Sequence, residues 1–240
     1  MPDSNPLDLA PCTRPTADRP LAGITVLVVE DSRYASEAVR LLCLRSGARL
    51  RRADSLAAAD RHLKVYRPTV ILVDVGLPDG SGLDLIERLN RSEPRIPAII
   101  AMSGEDTALS TALMAGANAA LAKPLGDLGA FQETLLGALP PDYRPNGPRK
   151  ISHETVAPDV MALHDDYARV VEMIGGQDLD HSIDYVAQFL TGLGRAAQDT
   201  DLETAATTLR RRHERGAPML GDMARVAGLL QDRLSRRAAV

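Results

Sequence analysis

The chain has 240 residues, 45% of them hydrophobic, and a formal net charge of −4 at pH 7. This length and apolar content suffice for one large or two small domains and exclude a wholly disordered chain. No run of 18 apolar residues occurs, and the N-terminus lacks a basic segment followed by an apolar core. The sequence therefore predicts no membrane span, no signal peptide and a cytoplasmic protein. Only 5 Tyr and 2 Phe occur, with no Trp, so we expect no nucleic-acid-binding groove.

Residues 1–20 contain five prolines and little apolar pattern, which is typical of a disordered tail. From 21 to 139, apolar strands alternate with amphipathic helical patterns, beginning with "ITVLVV" and "SRYASEAVRLLCLRSG". Five such repeats predict an α/β domain with a five-stranded, parallel, doubly wound sheet.

The stretch 140–155 contains "PPDYRPNGPRK", whose Pro and Gly density predicts a linker. Residues 156–240 then give four helical patterns with apolar spacings of three and four, which favour an all-α four-helix domain. The segment 151–240 has 14 acidic residues, 10 arginines and no lysine, so this half is mildly acidic and is not expected to bind nucleic acid.

Polar residues arrive at the ends of four predicted strands. Strand one ends in Glu30 and Asp31, strand three in Asp74, strand four in Ser103, and strand five runs into Lys123 and a proline. Ligands of open parallel sheets bind at the carboxyl ends of the strands. Three converging carboxylates repel one another unless a hard cation such as Mg²⁺ binds them. The sequence thus predicts a Mg²⁺ site with a phosphoryl pocket beside it.

The segments "VLVVEDS", "ILVDVGLPDGSGLDLI", "AMSG" and "GANAALAKP" occur in this order, each at a strand end. In this respect residues 21–139 resemble the receiver domain of two-component response regulators. The resemblance implies a flavodoxin-like fold and a response regulator that takes a phosphoryl group from the phosphohistidine of a sensor histidine kinase or a phosphotransfer protein. It also implies a downstream protein partner, with a homodimer as a further possibility.

By the same resemblance, Asp31 and Asp74 ligate the ion directly, together with the backbone carbonyl of Gly76. Glu30 acts mainly through coordinated water. The four metal positions implied are Glu30, Asp31, Asp74 and Gly76.

The resemblance further implies that Asp74 is the nucleophile and becomes an aspartyl phosphate. Lys123 pairs with the aspartate or with phosphoryl oxygens, and Ser103 donates a hydrogen bond to the bound phosphoryl group. Catalysis would be limited to self-phosphorylation and slow loss of the phosphoryl group.

Two observations leave alternatives open. The family carries an aromatic residue three positions before the lysine, where this chain has Ala120, so the usual aromatic switch is not expected. A pseudo-receiver or phosphate sink, which binds partners without an activated output, is the alternative function. Haloacid-dehalogenase-like phosphatases also phosphorylate a strand-end aspartate, but their motif has a second aspartate where this chain has Gly76.

The C-terminal half resembles a degenerate histidine phosphotransfer bundle. "ATTLRR" places Thr207 at the position of that family's phosphorylated histidine, with Arg210 and Arg211 at its lysine and glycine, so a relay function is not carried over. Docking or dimerisation is the better interpretation. His213, flanked by arginines, is the candidate if any histidine of this half carries a phosphoryl group, whereas His164 and His181 stand among acidic residues without metal-ligand spacing.

Overall fold

The computed structural model of the chain describes residues 15–145, 151–176 and 179–236, with side chains described except for 179–182. The predicted tail lies outside these ranges up to residue 14, and residues 15–24 lead into the first strand through bends and a turn that bury Pro20 and Leu21. Within the described ranges, no helix combines the length and apolar content needed to cross a membrane.

The strands and helices alternate as the sequence patterns predict. The strands are β1 (Thr25–Val29), β2 (Arg49–Ala53), β3 (Val70–Asp74), β4 (Gly76–Leu77), β5 (Gly80–Ser81), β6 (Ala98–Ser103) and β7 (Ala119–Ala122). The helices between them are α1 (Arg33–Ser46), α2 (Leu56–Val65), α3 (Gly82–Asn90), α4 (Asp106–Met114) and α5 (Leu128–Ala138).

Five of these strands form one parallel sheet in the order β2-β1-β3-β6-β7. This confirms the predicted doubly wound, flavodoxin-like domain. The short β4 and β5 form a separate antiparallel pair, a hairpin that the sequence patterns did not predict.

Each central strand divides its side chains between two cores, because successive residues of a strand point to opposite faces. Val26 and Val28 of β1 join the core under α1 and α5, whereas Leu27 and Val29 join the core under α2, α3 and α4. All residues of β3 and β6 are buried. Their sequences are therefore nearly continuous apolar runs and do not alternate between apolar and polar residues.

Four further helices follow, as predicted: α6 (Val160–Ile174), α7 (Leu179–Ala196), α8 (Thr200–Glu214) and α9 (Leu220–Ser235). They share a third apolar core, which includes Val170 of α6, Leu190 of α7, Leu202 of α8 and Val226 of α9.

The last residue of the predicted linker, Thr155, and the residue that follows it, Val156, are packed on the first domain. The backbone N–H of Val156 donates to the carbonyl of Gly126 at 2.9 Å, and Thr155 pairs with Asp127 in an antiparallel bridge. The Val156 side chain is buried in the core under α1 and α5. The chain is therefore fixed to the first domain only a few residues before α6 begins.

Candidate functional site

The carboxyl edge of the parallel sheet brings the candidate side chains together. Glu30 and Asp31 follow β1, Asp74 ends β3, Ser103 ends β6 and Lys123 follows β7. The central strands β1 and β3 are adjacent in register, so their terminal carboxylates meet. All but Lys123 are buried residues.

The backbone after Asp74 folds back because Gly82 has no side chain. A Cβ added at Gly82 would lie 2.0 Å from the carbonyl oxygen of Asp74. The N–H of Gly82 donates to the carbonyl of Val75 at 2.9 Å, and the Ser81 hydroxyl caps α3 by accepting from the N–H of Leu83. The sequence "DGSG" is thus a tight turn that starts α3 in close contact with the backbone of Asp74.

Lys123 joins two of the carboxylates. Its Nζ lies 2.8 Å from Oδ2 of Asp74 and 2.6 Å from Oε2 of Glu30. Burial alone would lower the pKa of Lys123, but Asp74 and Glu30 raise it above its ordinary value. The lysine therefore stays protonated and holds Asp74 in place. The contact with Glu30 was not anticipated from the sequence.

Glu30, Asp31 and Asp74 each offer a carboxylate oxygen, and these oxygens lie within 4.8 Å of one another. Burial raises the pKa of Glu30, an effect that Lys123 opposes and that the charges of Asp74 and Asp31 increase. Burial likewise raises the pKa of Asp31 to about 6. Three buried oxygen donors whose charges repel one another are the donor set that a hard divalent cation prefers, so the residues fit a bound ion.

Ser103, Gly76 and Ala120 lie at or near the carboxyl edge of the sheet. The Ser103 hydroxyl accepts from the N–H of Glu105 at 3.1 Å and lines the cavity above Asp74. The N–H of Gly76 is 3.4 Å from Oδ1 of Asp74. Ala120 is half-buried in β7, opposite Ala101.

The helical domain contributes to the site, which the sequence patterns did not predict. The Tyr185 hydroxyl of α7 donates to Oδ2 of Asp31. Arg169 of α6 donates from Nη1 to the backbone carbonyl of Asp31 at 2.9 Å, and the same nitrogen is 3.3 Å from Oδ2 of Asp31. Both side chains therefore bind the carboxylate that the sequence analysis assigns to the ion.

A cavity of about 890 Å³ lies between the two domains. Its floor includes Glu30, Asp74, Ser103 and Lys123, and helices α7 and α8 line the other side. The lining residues of α8 are Thr207, Arg210 and Arg211. Thr207 thus faces the same cavity as Asp74.

His213 and His164 lie outside this cavity. Nε2 of His213 is 3.4 Å from Oδ2 of Asp184, and His213 is not among the residues that line the cavity. His164 packs edge-on against Tyr167 with ring centroids 6.2 Å apart. The side chain of His181 lies outside the described part of the chain.

One sequence pattern could have indicated that α7 also faces the first domain. Ile183, Val186, Leu190 and Leu193 are buried in the helical core. A second stripe at spacings of three and four lines the cavity and comprises Tyr185, Gln188, Phe189 and Gly192. A helix with two such stripes packs on two sides.

The sheet domain is similar to known proteins. Residues 26–134 match the model of the family described as the response regulator receiver domain. The KDP operon transcriptional regulatory protein KdpE of Escherichia coli is 34% identical over 115 residues, which are 48% of this chain and 50% of KdpE. The virulence transcriptional regulatory protein PhoP of Salmonella typhimurium is 34% identical over 80 residues, 33% of this chain and 36% of PhoP. The chain thus spans half or less of the length of these relatives.

A solved structure also aligns with the sheet domain. The receiver domain of a sensor histidine kinase from Pseudomonas aeruginosa, with a magnesium ion coordinated in its active-site cleft, is 28% identical with a TM-score of 0.43. The alignment covers 48% of this chain and 95% of that domain.

Proposed function

We propose that the protein is a response regulator that is phosphorylated on Asp74, on the premise that residues 26–134 match the receiver-domain family. The donor would be the phosphohistidine of a sensor kinase or of a phosphotransfer protein. One observation carries the proposal: Asp74 is paired with Lys123 at 2.8 Å and shares a buried oxygen cluster with Glu30 and Asp31.

The chemistry requires a nucleophile and groups that stabilise charge on the phosphoryl oxygens. An oxygen of the Asp74 carboxylate forms a bond to phosphorus as the bond between phosphorus and the donor's imidazole nitrogen breaks. The carboxylates of Glu30, Asp31 and Asp74, with the Gly76 carbonyl, would hold Mg²⁺, which when bound screens charge between the aspartate and the phosphoryl group. Lys123 then pairs with a phosphoryl oxygen, and the Ser103 hydroxyl donates to another.

We propose that the output passes through protein contacts of the helical domain. KdpE and PhoP are named as transcriptional regulators, but residues 151–240 of this chain contain 14 acidic residues, 10 arginines and no lysine. A net acidic surface disfavours binding to a phosphate backbone. Salt-sensitive retention of the full chain on heparin would count against this output. We also propose that the protein is cytoplasmic, because a partner kinase that uses a nucleotide would act there.

The proposal is tested by intact-protein mass spectrometry of the full chain after incubation with phosphoramidate and Mg²⁺. We expect a gain of one phosphoryl group that hydroxylamine removes, and no gain in Asp74→Asn. Asp84→Asn, which changes an exposed aspartate in the first turn of α3, is the matched control and should be labelled like the wild type. An unlabelled wild type, with a known receiver labelled in parallel, would instead support a partner-binding pseudo-receiver.

A further inference from the structure

The helical domain is docked on the receiver through contacts that surround the phosphoacceptor site. Asp166 of α6 is 1% exposed and accepts hydrogen bonds at the N-terminus of α1. Its donors are the Ser32 hydroxyl at 2.8 Å and the backbone N–H groups of Arg33 and Tyr34 at 2.9 and 3.0 Å. A carboxylate is stabilised at a helix N-terminus by the free N–H groups and the helix dipole, so this is a specific contact between the domains.

Further contacts reach the loops after β3 and β6. Gln188 of α7 packs on Gly76 so closely that a Cβ there would lie 2.9 Å from Nε2 of the glutamine. Arg195 donates to the carbonyl of Gly104 at 2.7 Å, and Arg210 pairs with Glu105. Docking thus engages three of the loops at the carboxyl edge of the sheet.

The contacts at Asp31 concern the ion directly. Tyr185 donates to Oδ2 of Asp31, and a guanidinium nitrogen of Arg169 is 3.3 Å from the same oxygen. Mg²⁺ bonded to that oxygen at about 2.1 Å would lie at most about 5.4 Å from this guanidinium nitrogen. An ion and the docked helices would therefore compete for one oxygen and would place two positive charges side by side.

The charges of the cluster also indicate that docking opposes binding of a divalent cation. Three carboxylates face two cations, Lys123 from the receiver and Arg169 from the helical domain. Lys123 is fixed between Glu30 and Asp74, whereas Arg169 leaves Asp31 if the helices move away. Undocking restores the full negative charge that attracts a divalent cation.

We propose that docking of the helical domain and binding of a divalent cation at Asp31 oppose each other. Tyr185 and Arg169 are positioning residues that close the ion site in the docked arrangement. The inference rests on the proposed function, because it needs an ion at this cluster. Because coupling between two sites is reciprocal, an ion that binds at Asp31 also weakens docking, and the helical face that held the receiver becomes free.

The test measures binding of Mn²⁺, as a spectroscopic probe, to the full chain by the loss of the free-ion electron paramagnetic resonance signal. Tyr185→Phe removes only the hydroxyl that binds Asp31. Asp166→Ala removes a docking contact that does not touch the ion cluster, and Arg210→Gln does the same at the opposite loop. We expect each variant to bind Mn²⁺ at least about fivefold more tightly than the wild type.

Tyr143→Phe, which changes a tyrosine of the turn Pro141–Tyr143, is the matched control and should bind like the wild type. Circular dichroism verifies that every variant is folded. If Tyr185→Phe binds no more tightly, or if it alone binds more tightly while Asp166→Ala and Arg210→Gln do not, the opposition between docking and ion binding is refuted. The proposed function survives either result.

One result would contradict both the further inference and the proposed function. Mn²⁺ binding that Asp74→Asn does not weaken, in the wild type and in the undocked variants, would mean that the carboxylate cluster is not the ion site. The proposed function would then fail, and the further inference with it.

Discussion

Two buried charges of the receiver, Glu30 and Asp74, find their partner within the receiver, whereas the main buried charge of the helical domain finds its partners in the other half. Glu30 and Asp74 pair with Lys123 of their own domain. Asp166 is as buried as Glu30, yet its hydrogen-bond donors are Ser32, Arg33 and Tyr34 of the receiver. The receiver therefore brings the candidate site residues together by itself, although Asp31 also binds Tyr185 and Arg169 of the helical domain. The helical domain contains a face that is satisfied only when it is docked.

The candidate site and the contacts that could control it therefore belong to different domains. The candidate site residues need no residue of the helical domain to come together, because the parallel sheet places them at one edge. The helical domain acts on them only through contacts that can be broken. Three substitutions test this contrast between the two domains.

The largest effect is expected from Leu190→Ala in the core of the helical domain. Leu190 is fully buried, so the change should lower the free energy of unfolding of this domain by about 3 kcal/mol. If the chemistry resides in the receiver, phosphoramidate should still label Asp74. Chemical denaturation followed by circular dichroism measures the free energy of unfolding, and intact-protein mass spectrometry measures the labelling of Asp74.

Leu220→Ala, at a position that is 86% exposed in α9, is the control and should change neither quantity much. A loss of Asp74 labelling in Leu190→Ala would show that the two halves fold and react as one unit.

A smaller effect is expected from Gly82→Ala in the receiver. Its Cβ would meet the carbonyl oxygen of Asp74 at 2.0 Å, so the turn must shift, at a cost of about 2 kcal/mol in the free energy of unfolding. Labelling of Asp74 should fall with it, because the shift moves the nucleophile.

Gly137→Ala provides the comparison, since a Cβ at this exposed helical position meets nothing within 4 Å. It should stabilise the chain by up to about 1 kcal/mol. Equal stabilities of the two variants, measured by thermal unfolding, would mean that the turn at Asp74 tolerates a side chain.

The smallest effect concerns pH. Hydrogen bonds from Arg233 lower the pKa of Asp199, although partial burial opposes this effect. A lowered pKa in the folded state stabilises the fold above the unfolded-state pKa of about 3.9 and loses that contribution as the pH falls through the folded-state pKa. At pH 7, Asp199→Asn should therefore cost about 1 kcal/mol in the free energy of unfolding of the helical domain, and this cost should shrink near pH 3.

Asp201→Asn serves as the control, because this aspartate is mostly exposed and 3.8 Å from the same guanidinium. A cost for Asp199→Asn that is constant from pH 7 to pH 3, measured by urea denaturation, would contradict an ionic contribution.

The receiver fold and the placement of the candidate site residues could be predicted because both depend on local patterns. The apolar strands of the sheet end where polar residues begin, and parallel strands present those ends at one edge. Glu30, Asp31, Asp74, Ser103 and Lys123 therefore meet without any long-range information beyond the order of the strands.

The docked arrangement could not be predicted in this way. The contacts of Asp166 and Tyr185 join positions more than 130 residues apart, and no periodicity encodes how two domains face each other. The same holds for Val156, which directly follows the stretch 140–155 whose composition predicts only a linker. The second stripe on α7 was the one available sign that this helix packs on two sides.

The anchored segment before α6 has a consequence for how far the helical domain can travel. Val156 is buried in the receiver, and α6 begins at Val160, so only residues 157–159 join the anchor to the helix. Three extended residues span about 10 Å. While the anchor holds, a released helical domain is tethered beside the site at a high effective concentration, which falls as a linker lengthens beyond the span it must bridge. Release of the helical domain is thus local and quickly reversible. Any partner that binds the freed surface of the receiver must compete with the tethered helical domain, which stays beside the site.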